Sequence, residues 1–187
     1  MPEAVFLDRD GTIVEDVGYG ETFDDTRFLP GAPEAIRSLN ERSILVIVIS
    51  NQAGVARGYF PESNILRMHD AIDRALKEQG AHIDAWYYCP HLPEGSVERY
   101  AIDCDCRKPK PGMLKKAAED LHLDLSKCAM IGDKSSDIEA GAAVGVHTVL
   151  VMTGKGTHEW SSWNVKAQPS FVAPDIKAAV DRLLRGA

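Results

Sequence analysis

Short apolar segments alternate with amphipathic segments along the chain, and this pattern predicts an α/β fold with a parallel sheet between two layers of helices. We expect strands at residues 4–7, 45–49, 86–88, 129–131 and 147–151, and helices at residues 33–40, 62–79, 112–121, 136–144 and 175–184. The strand at 45–49 is continuously apolar, which is typical of a strand buried on both faces. The predicted sheet is therefore Rossmann-like and three-layered, and it should bind ligands at the carboxyl ends of its strands.

Length and charge narrow the possible partners. The chain has 187 residues, enough for a single domain over residues 1–187, and its net charge of −7 argues against a nucleic-acid or anionic-membrane partner. No apolar run is long enough to span a bilayer, and the N-terminus lacks an export signal. We expect a cytoplasmic monomer. Residues 153–170, rich in Gly, Ser, Thr and Trp, predict a surface loop packed down by Trp160 and Trp163.

Two carboxylates, Asp8 and Asp10, directly follow the first predicted strand. Neighbouring carboxylates repel each other unless a cation lies between them, and Mg²⁺ prefers carboxylate, water and phosphate oxygens. A solvated turn at the end of a strand is the alternative. Asp133 follows a later strand and could complete a metal site with Asp8, whereas Asp137 is expected to support the following helix or its loop.

Phosphate-binding groups occur at two other strand ends or loops. Ser50 offers a hydroxyl after the second strand, and Lys108 offers an ammonium before a helix. Hydroxyl, amide and ammonium groups are the donors that a transferring phosphoryl group needs. Each residue alone has an ordinary explanation, as a strand end or a solvated charge. In combination with the carboxylates, in this chain order, they indicate phosphoryl transfer.

The order of these motifs resembles the haloacid dehalogenase (HAD) superfamily, whose phosphatases carry Asp-x-Asp-x-Thr, a Ser or Thr, a Lys and an acidic Gly-Asp motif. The matching residues here are Asp8, Asp10, Thr12, Ser50, Lys108 and Asp133. The resemblance implies that Asp8 attacks phosphorus, that Asp10 protonates the leaving oxygen and later activates water, and that Ser50 and Lys108 hold the phosphoryl oxygens. It also implies a catalytic Mg²⁺ held by the Asp8 and Asp133 carboxylates and the Asp10 carbonyl.

Three thiols and an imidazole form two close pairs that are separated by residues 92–103. The four residues are Cys89, His91, Cys104 and Cys106. Four soft ligands predict a closed, tetrahedral structural Zn²⁺ site, and we call residues 89–106 the zinc loop. Disulfides and simple burial of reduced thiols are the alternatives, and burial suits the fourth cysteine, Cys128. Because the zinc loop leads into Arg107 and Lys108, the metal should affect activity indirectly.

Residues 13–30 form one loop and the zinc loop is the other sizeable insertion, so the chain should be capless with an open site. The motifs at residues 6–12, 16–19, 50–58, 87–91, 104–109 and 132–134 are similar to those of the heptose bisphosphate phosphatases along nearly the whole chain. This resemblance implies hydrolysis of the 7-phosphate of D-glycero-D-manno-heptose 1,7-bisphosphate to give the 1-phosphate. The reaction would serve ADP- or GDP-heptose synthesis for the lipopolysaccharide core.

The same resemblance implies a set of substrate contacts, with Arg107 recognising the phosphate that stays on the sugar through its bidentate fork. The set is Asp16, Val17, Gly18, Tyr19, Asn51, Gln52, Ala53, Arg107 and Lys134. Histidinol-phosphate phosphatases share the catalytic and zinc motifs but typically have a shorter zinc loop. A catalytically silent, zinc-stabilised binding module is the alternative from another class.

Overall fold

The structure is a computed structural model that describes residues 1–16, 18 and 27–186. In these residues the strands are β1 (Ala4–Leu7), β2 (Leu45–Asn51), β3 (Ala85–Cys89), β4 (Cys128–Gly132), β5 (His147–Val151) and β6 (Phe171–Ala173). The α-helices are α1 (Ala32–Asn40), α2 (Ser63–Glu78), α3 (Gly112–Leu121), α4 (Ser135–Ala142), α5 (Gly156–Ser161) and α6 (Ile176–Leu184). Single-turn 3₁₀ helices lie at Glu98–Tyr100 and Leu125–Lys127.

The strands form one parallel sheet in the order β3-β2-β1-β4-β5-β6. The central strand, β1, pairs with β2 on one side and with β4 on the other, so that Leu7 lies opposite both Val48 and Ile131. The order reverses direction at β1, which is the topological switch point where such sheets bind ligands. The residues that follow β1, β2 and β4 therefore come together at one edge.

Side chains alternate between the two faces of the sheet and form two apolar cores. Val5 and Leu7 pack with α1, α2 and α6 on one face. Phe6 lies on the opposite face and packs with α3 and α4. Because both faces are covered, β1 is buried at every position, as its continuously apolar sequence predicts.

The helices begin and end for reasons visible in the sequence. In α1, proline lies in the first turn and the buried residues recur at helical spacing, at Ala32, Ala35, Ile36 and Leu39. The carboxylate of Asp175 caps α6 by accepting a hydrogen bond of 2.8 Å from the backbone N–H of Ala178. These helices cover the sheet face that lies opposite α3 and α4.

The prediction of a three-layer parallel α/β fold is confirmed, with the predicted strands and helices placed to within two residues. Besides the 3₁₀ helices, one strand and one α-helix were not predicted. Strand β6 has only three residues, and α5 forms inside the segment 153–170 that we expected to be a loop. Trp160 contacts Trp163 at 5.5 Å between ring centroids but stays 42% exposed, so the expectation that it packs the segment down is wrong for this side chain.

The zinc loop begins at the last residue of β3 and lies in the segment between β3 and α3. In the described part of the chain, no helix is both long and apolar enough to cross a membrane. The division into a single domain over residues 1–187 stays a prediction.

Candidate active site

The carboxyl ends of β1, β2 and β4 bring the predicted catalytic residues together. Asp8 follows the last residue of β1, and its N–H donates to the carbonyl of Ile131 in β4 at 2.9 Å. Ser50 lies near the end of β2, and Asp133 follows the last residue of β4. All three side chains are buried beneath the cleft described below.

Lys108 joins two of the acidic groups from a distant part of the chain. Its Nζ lies 2.7 Å from Oδ1 of Asp8 and 2.6 Å from Oδ1 of Asp137, and it donates to the carbonyl of Ile49 at 2.7 Å. Burial opposes ionisation of Asp8, but the charges of Lys108 and Lys134 outweigh it and lower the pKa of Asp8. Burial likewise opposes the charge on Lys108, yet Asp137 and Asp8 raise its pKa. The pair is therefore held in its ionised form.

Asp8, Asp133 and Asp137 form a carboxylate cluster whose ligand oxygens all lie within 4.8 Å of one another. Asp133 is fully buried, and its Oδ1 atom has no hydrogen bond. Burial and the neighbouring charge of Asp8 raise the pKa of Asp133 to about 8. A buried carboxylate oxygen without a hydrogen bond, beside two other carboxylates, fits a hard divalent cation such as Mg²⁺.

Asp137 has two roles in this arrangement. Its Oδ2 atom accepts a hydrogen bond of 3.1 Å from the N–H of Lys134, which supports the start of α4 as expected. Its Oδ1 atom faces Lys108, and the same carboxylate belongs to the cluster that could hold a metal. Only the first of these roles is predicted by the sequence.

Lys134 places a second ammonium among the acidic groups. Its Nζ lies 4.0 Å from Oδ2 of Asp8, 3.7 Å from Oδ1 of Asp133 and 3.7 Å from Oδ2 of Asp16. It also donates to the carbonyl of Asp10 at 3.5 Å. The position of the Lys134 ammonium shows that the acidic groups attract a cation at the mouth of the carboxylate cluster. The Asp10 carbonyl that Lys134 contacts is also the one that the HAD resemblance assigns to Mg²⁺.

The Asp10 side chain is 24% exposed and that of Asp8 only 5%, so Asp10 is the more accessible of the two carboxylates. Arg9 donates to it twice, from Nε to Oδ1 at 3.0 Å and from an Nη to Oδ2 at 2.9 Å. The amide of Gln52 donates to Oδ2 of Asp10 at 2.9 Å and to the hydroxyl of Ser50 at 2.7 Å. Gln52, predicted to contact substrate, thus uses both amide protons to link Asp10 with Ser50.

Asn51 and Arg107 connect the strand ends to the zinc loop. The side-chain amide of Asn51 donates to the carbonyl of Lys108 at 3.0 Å and accepts from its N–H at 3.1 Å, so it holds the backbone of that lysine. Arg107 donates to the carbonyl of His91 at 3.2 Å. The orientation of Arg107 therefore depends on a residue of the zinc loop.

A cleft of about 410 Å³ opens over these groups. Of the predicted site residues, its lining includes Asp10, Asp16, Gly18, Asn51, Gln52, Ala53, Arg107, Lys108 and Lys134. Val17 and Tyr19, also predicted substrate contacts, lie outside the described residues. The cleft also contains Arg57 and Lys155, to which the sequence analysis gave no role. Lys155 follows β5 at the same edge, so extending the strand-end rule to that strand would have found it.

Two glycines allow the loops to approach Asp133. Gly11 has φ +92° and Gly154 has φ +53°, both in the left-handed region. A Cβ atom on either would overlap the Asp133 carboxylate. The close approach brings the N–H of Lys155 to 2.8 Å from Oδ2 of Asp133. Glycine is therefore required at both positions for backbone and contact reasons together.

The zinc loop gathers its four ligand atoms within 4.8 Å of one another, and we call these residues the thiol cluster. They are Cys89, His91, Cys104 and Cys106. The Sγ–Sγ distances run from 3.0 to 3.4 Å, so the cysteines are free thiols and not disulfides. Although burial opposes it, hydrogen bonds from Cys106, Cys89 and His91 lower the pKa of Cys104 to about 7. Convergent thiols of this kind could bind zinc, as predicted.

Comparison with known proteins gives consistent results. A family model described as HAD-hydrolase-like matches residues 105–179. A D-glycero-beta-D-manno-heptose-1,7-bisphosphate 7-phosphatase of Pasteurella multocida (strain Pm70) is 42% identical over 187 residues, which are 100% of this chain and 98% of that protein. The protein of the same name from Haemophilus influenzae is 45% identical over 156 residues, 83% of this chain and 84% of that protein.

A solved structure is similar along nearly the full chain. It is the crystal structure of D,D-heptose 1,7-bisphosphate phosphatase from B. bronchiseptica complexed with magnesium and phosphate, with a TM-score of 0.84 and 33% identity. The match covers 98% of this chain and 99% of that one. The similarity therefore extends over the whole of that protein and is not confined to one part of the fold.

Proposed function

Because this chain belongs to the family of HAD-like D-glycero-beta-D-manno-heptose-1,7-bisphosphate 7-phosphatases, we propose that it hydrolyses the 7-phosphate of that sugar bisphosphate and releases the heptose 1-phosphate. The observation that carries the proposal is the buried Asp8–Lys108 pair at 2.7 Å, beneath a cleft lined by further cations, in a chain 42% identical over its whole length to a named member. The relatives' names specify the beta anomer, and we propose the same anomer here.

Asp8 is the proposed nucleophile. One of its carboxylate oxygens forms a bond to phosphorus while the bond between phosphorus and the sugar oxygen breaks. Asp10 gives its proton to that leaving oxygen, and the product is an aspartyl phosphate. Asp10 then takes a proton from water, whose oxygen attacks phosphorus, and phosphate leaves as the Asp8 carboxylate is restored. Ser50 and Lys108 hold the phosphoryl oxygens through both steps.

The Asp8 and Asp133 carboxylates and the Asp10 carbonyl would hold the catalytic Mg²⁺. When bound, the ion neutralises charge on the phosphoryl oxygens, so that a carboxylate can approach a phosphate dianion. The Oδ1 atom of Asp133, which is buried without a hydrogen bond, supports this assignment. The ionised state of Asp8, favoured by Lys108, keeps the nucleophile ready for attack.

Recognition of the second phosphate is assigned to Arg107. Its guanidinium lines the cleft, and its bond to the His91 carbonyl leaves further N–H donors for a ligand. We propose that a structural Zn²⁺ in the thiol cluster fixes this part of the loop and thereby Arg107. Thiolate ligands suit a reducing compartment, so we propose a cytoplasmic location. The monomeric state expected from the sequence stays a prediction.

The proposal is tested by incubating the purified protein with Mg²⁺ and, in turn, the beta and alpha anomers of the heptose bisphosphate and histidinol phosphate. We expect the highest kcat/KM for the beta anomer, with phosphorus NMR showing that the 7-phosphate is lost. A preference for histidinol phosphate would favour that alternative. Absence of phosphate release from every ester, including 4-nitrophenyl phosphate, would favour a silent binding module.

A further inference from the structure

Arg9 lies between the two catalytic aspartates in the sequence. Among the described residues, its side chain forms hydrogen bonds with only one of these aspartates, Asp10. Its guanidinium makes two parallel bonds to the Asp10 carboxylate, at 3.0 and 2.9 Å. The Arg9 side chain is 8% exposed and is not among the residues that line the cleft, so its guanidinium faces Asp10 and not the space open to a substrate. A bidentate pair of this kind fixes the plane of a carboxylate as well as its position.

The backbone of Arg9 is also held. Its carbonyl accepts hydrogen bonds from the N–H groups of Thr12, Ile13 and Val14 at 3.4, 2.9 and 3.1 Å. His69 is buried and stacked on Trp86 at 4.0 Å between ring centroids. Burial and the charge of Arg9 lower the pKa of His69 to about 3, so the imidazole stays neutral and adds no second positive charge near the guanidinium. The guanidinium itself is directed to Asp10 by its two hydrogen bonds.

The hydrogen bonds to the Asp10 carboxylate leave few of its acceptor sites free. Arg9 supplies two donors and Gln52 a third, at 2.9 Å. A carboxylate has about four lone-pair sites, so about one remains for a reactant. The Asp10 side chain is 24% exposed and lines the cleft. Three of its sites are thus used for orientation, and the fourth is left for proton transfer.

We propose that Arg9 is a positioning residue for proton transfer: its guanidinium fork orients the Asp10 carboxylate toward the leaving oxygen without contacting substrate. This inference rests on the proposed role of Asp10 as general acid. Misplacement of a catalytic group by about 1 Å can lower a rate by about 100-fold. Asp10 acts in both steps of the proposed mechanism, but only the step in which it gives its proton depends on the leaving group.

Two aryl phosphates of nearly equal size separate this role from a general one. The nitrophenolate of 4-nitrophenyl phosphate leaves without a proton, whereas the phenolate of phenyl phosphate needs one. We expect Arg9→Met to lower kcat/KM for phenyl phosphate about 10- to 100-fold more than kcat/KM for 4-nitrophenyl phosphate, because kcat/KM reports the step in which the leaving group departs. Arg9→Lys keeps the charge without the fork and should restore part of the loss, and it carries the test if Arg9→Met does not fold.

Asp10→Asn is the reference variant and should show the same dependence on leaving group, with a loss of about 100-fold or more for phenyl phosphate. If Asp10→Asn shows the dependence and both Arg9 variants lower the two substrates equally, Arg9 supports the loop as a whole and the inference is overturned. Unchanged rates in both Arg9 variants overturn it as well. If Asp10→Asn lacks the dependence, the general-acid assignment itself fails and the inference with it. None of these measurements requires the heptose, so they are independent of the substrate assignment.

Discussion

The thiol cluster and the carboxylate cluster lie at the same edge of the sheet but are built on opposite plans. The thiol cluster brings together four ligand atoms that contact mainly one another. The carboxylate cluster has three ligand residues and is surrounded by ammonium groups, with Lys108 at 2.7 Å from Asp8 and Lys134 at 3.7 Å from Asp133. The first can complete the coordination of a metal by itself, whereas the second cannot.

The difference follows from what each site must exchange. A closed set of four soft ligands holds a metal permanently and stabilises a loop that has little apolar core. A site that binds phosphate must remain open, and its charges must be balanced both with and without a bound anion. The lysines provide that balance, because they hold Asp8 ionised while its neighbour Asp133 has a raised pKa of about 8.

The largest predicted effect breaks the carboxylate cluster. Asp8→Asn should lower kcat by at least about 10⁴-fold, because it removes the nucleophile. The melting temperature should change little, since Lys108 keeps its contact with Asp137 at 2.6 Å. Phosphate release and thermal unfolding measure the two quantities, and substantial residual activity would contradict the covalent mechanism.

Breaking the thiol cluster should lower the melting temperature directly and the activity only as a consequence. Cys106→Ser should reduce the zinc content from about one ion per chain to near zero. It should lower the melting temperature by about 10 °C, because a lost structural metal costs several kcal/mol. Activity should fall as a consequence, since Arg107 donates to the carbonyl of the ligand His91.

The matched control is Cys128→Ala, which removes a buried thiol outside the zinc loop. It should keep both zinc and activity. Brief treatment with a chelator that removes only weakly held ions should abolish activity without changing the melting temperature, and added Mg²⁺ should restore it. A zinc-free Cys106→Ser protein with wild-type stability would contradict the structural role of the thiol cluster.

The sequence was most informative where chemistry and strand ends coincide. Asp8, Ser50 and Asp133 could be placed together because each follows or ends a continuously apolar strand, and parallel strands share one edge. The four thiol-cluster ligands were found because paired soft ligands have few structural explanations. Strand-end carboxylates and paired metal ligands can therefore be identified from the sequence alone.

Other features depend on contacts that spacing does not encode. The bonds of Asn51 and Gln52 to Lys108 and Asp10 are set by loop geometry, so both residues were predicted as substrate contacts without their internal roles. Helix α5 was missed because a six-residue helix with a glycine start has little periodicity, and its stability comes from packing on β5.

A smaller effect should separate the two cations at the junction of the clusters. Arg107→Ala should lower kcat/KM for the heptose bisphosphate by about 10- to 150-fold, which corresponds to a charge-assisted bond of about 1.5–3 kcal/mol. A sugar monophosphate should be little affected, because it lacks the second phosphate. Lys108→Ala should slow both substrates, since Lys108 pairs with the nucleophile Asp8 at 2.7 Å. Equal losses for both substrates in Arg107→Ala would place Arg107 in the general phosphoryl site.

The smallest predicted effect is on the pH dependence of stability, and it concerns His69, which belongs to neither cluster. Acid should release metal from the thiol cluster, but His69 adds an acid sensitivity of its own: burial lowers its folded-state pKa from 6.5 to about 3. Below pH 6.5 the unfolded chain binds a proton that the folded chain does not, so stability falls as the pH decreases toward 3. At one pH unit below the pKa of the unfolded state, the loss of folding free energy from His69 is about 1.4 kcal/mol.

His69→Phe keeps a ring against Trp86 and removes a buried Nε2 atom that has no hydrogen bond. The stability of this variant at neutral pH should therefore equal or exceed that of the wild type. Urea unfolding at pH 7.5 and 5.5 should then show a smaller loss in the variant, by about 1.4 kcal/mol. Zinc content is measured at both pH values, because the variant retains the thiol cluster and any loss common to both proteins belongs to the metal. Identical pH dependence in the two proteins would assign all of the acid sensitivity to the clusters and none to His69.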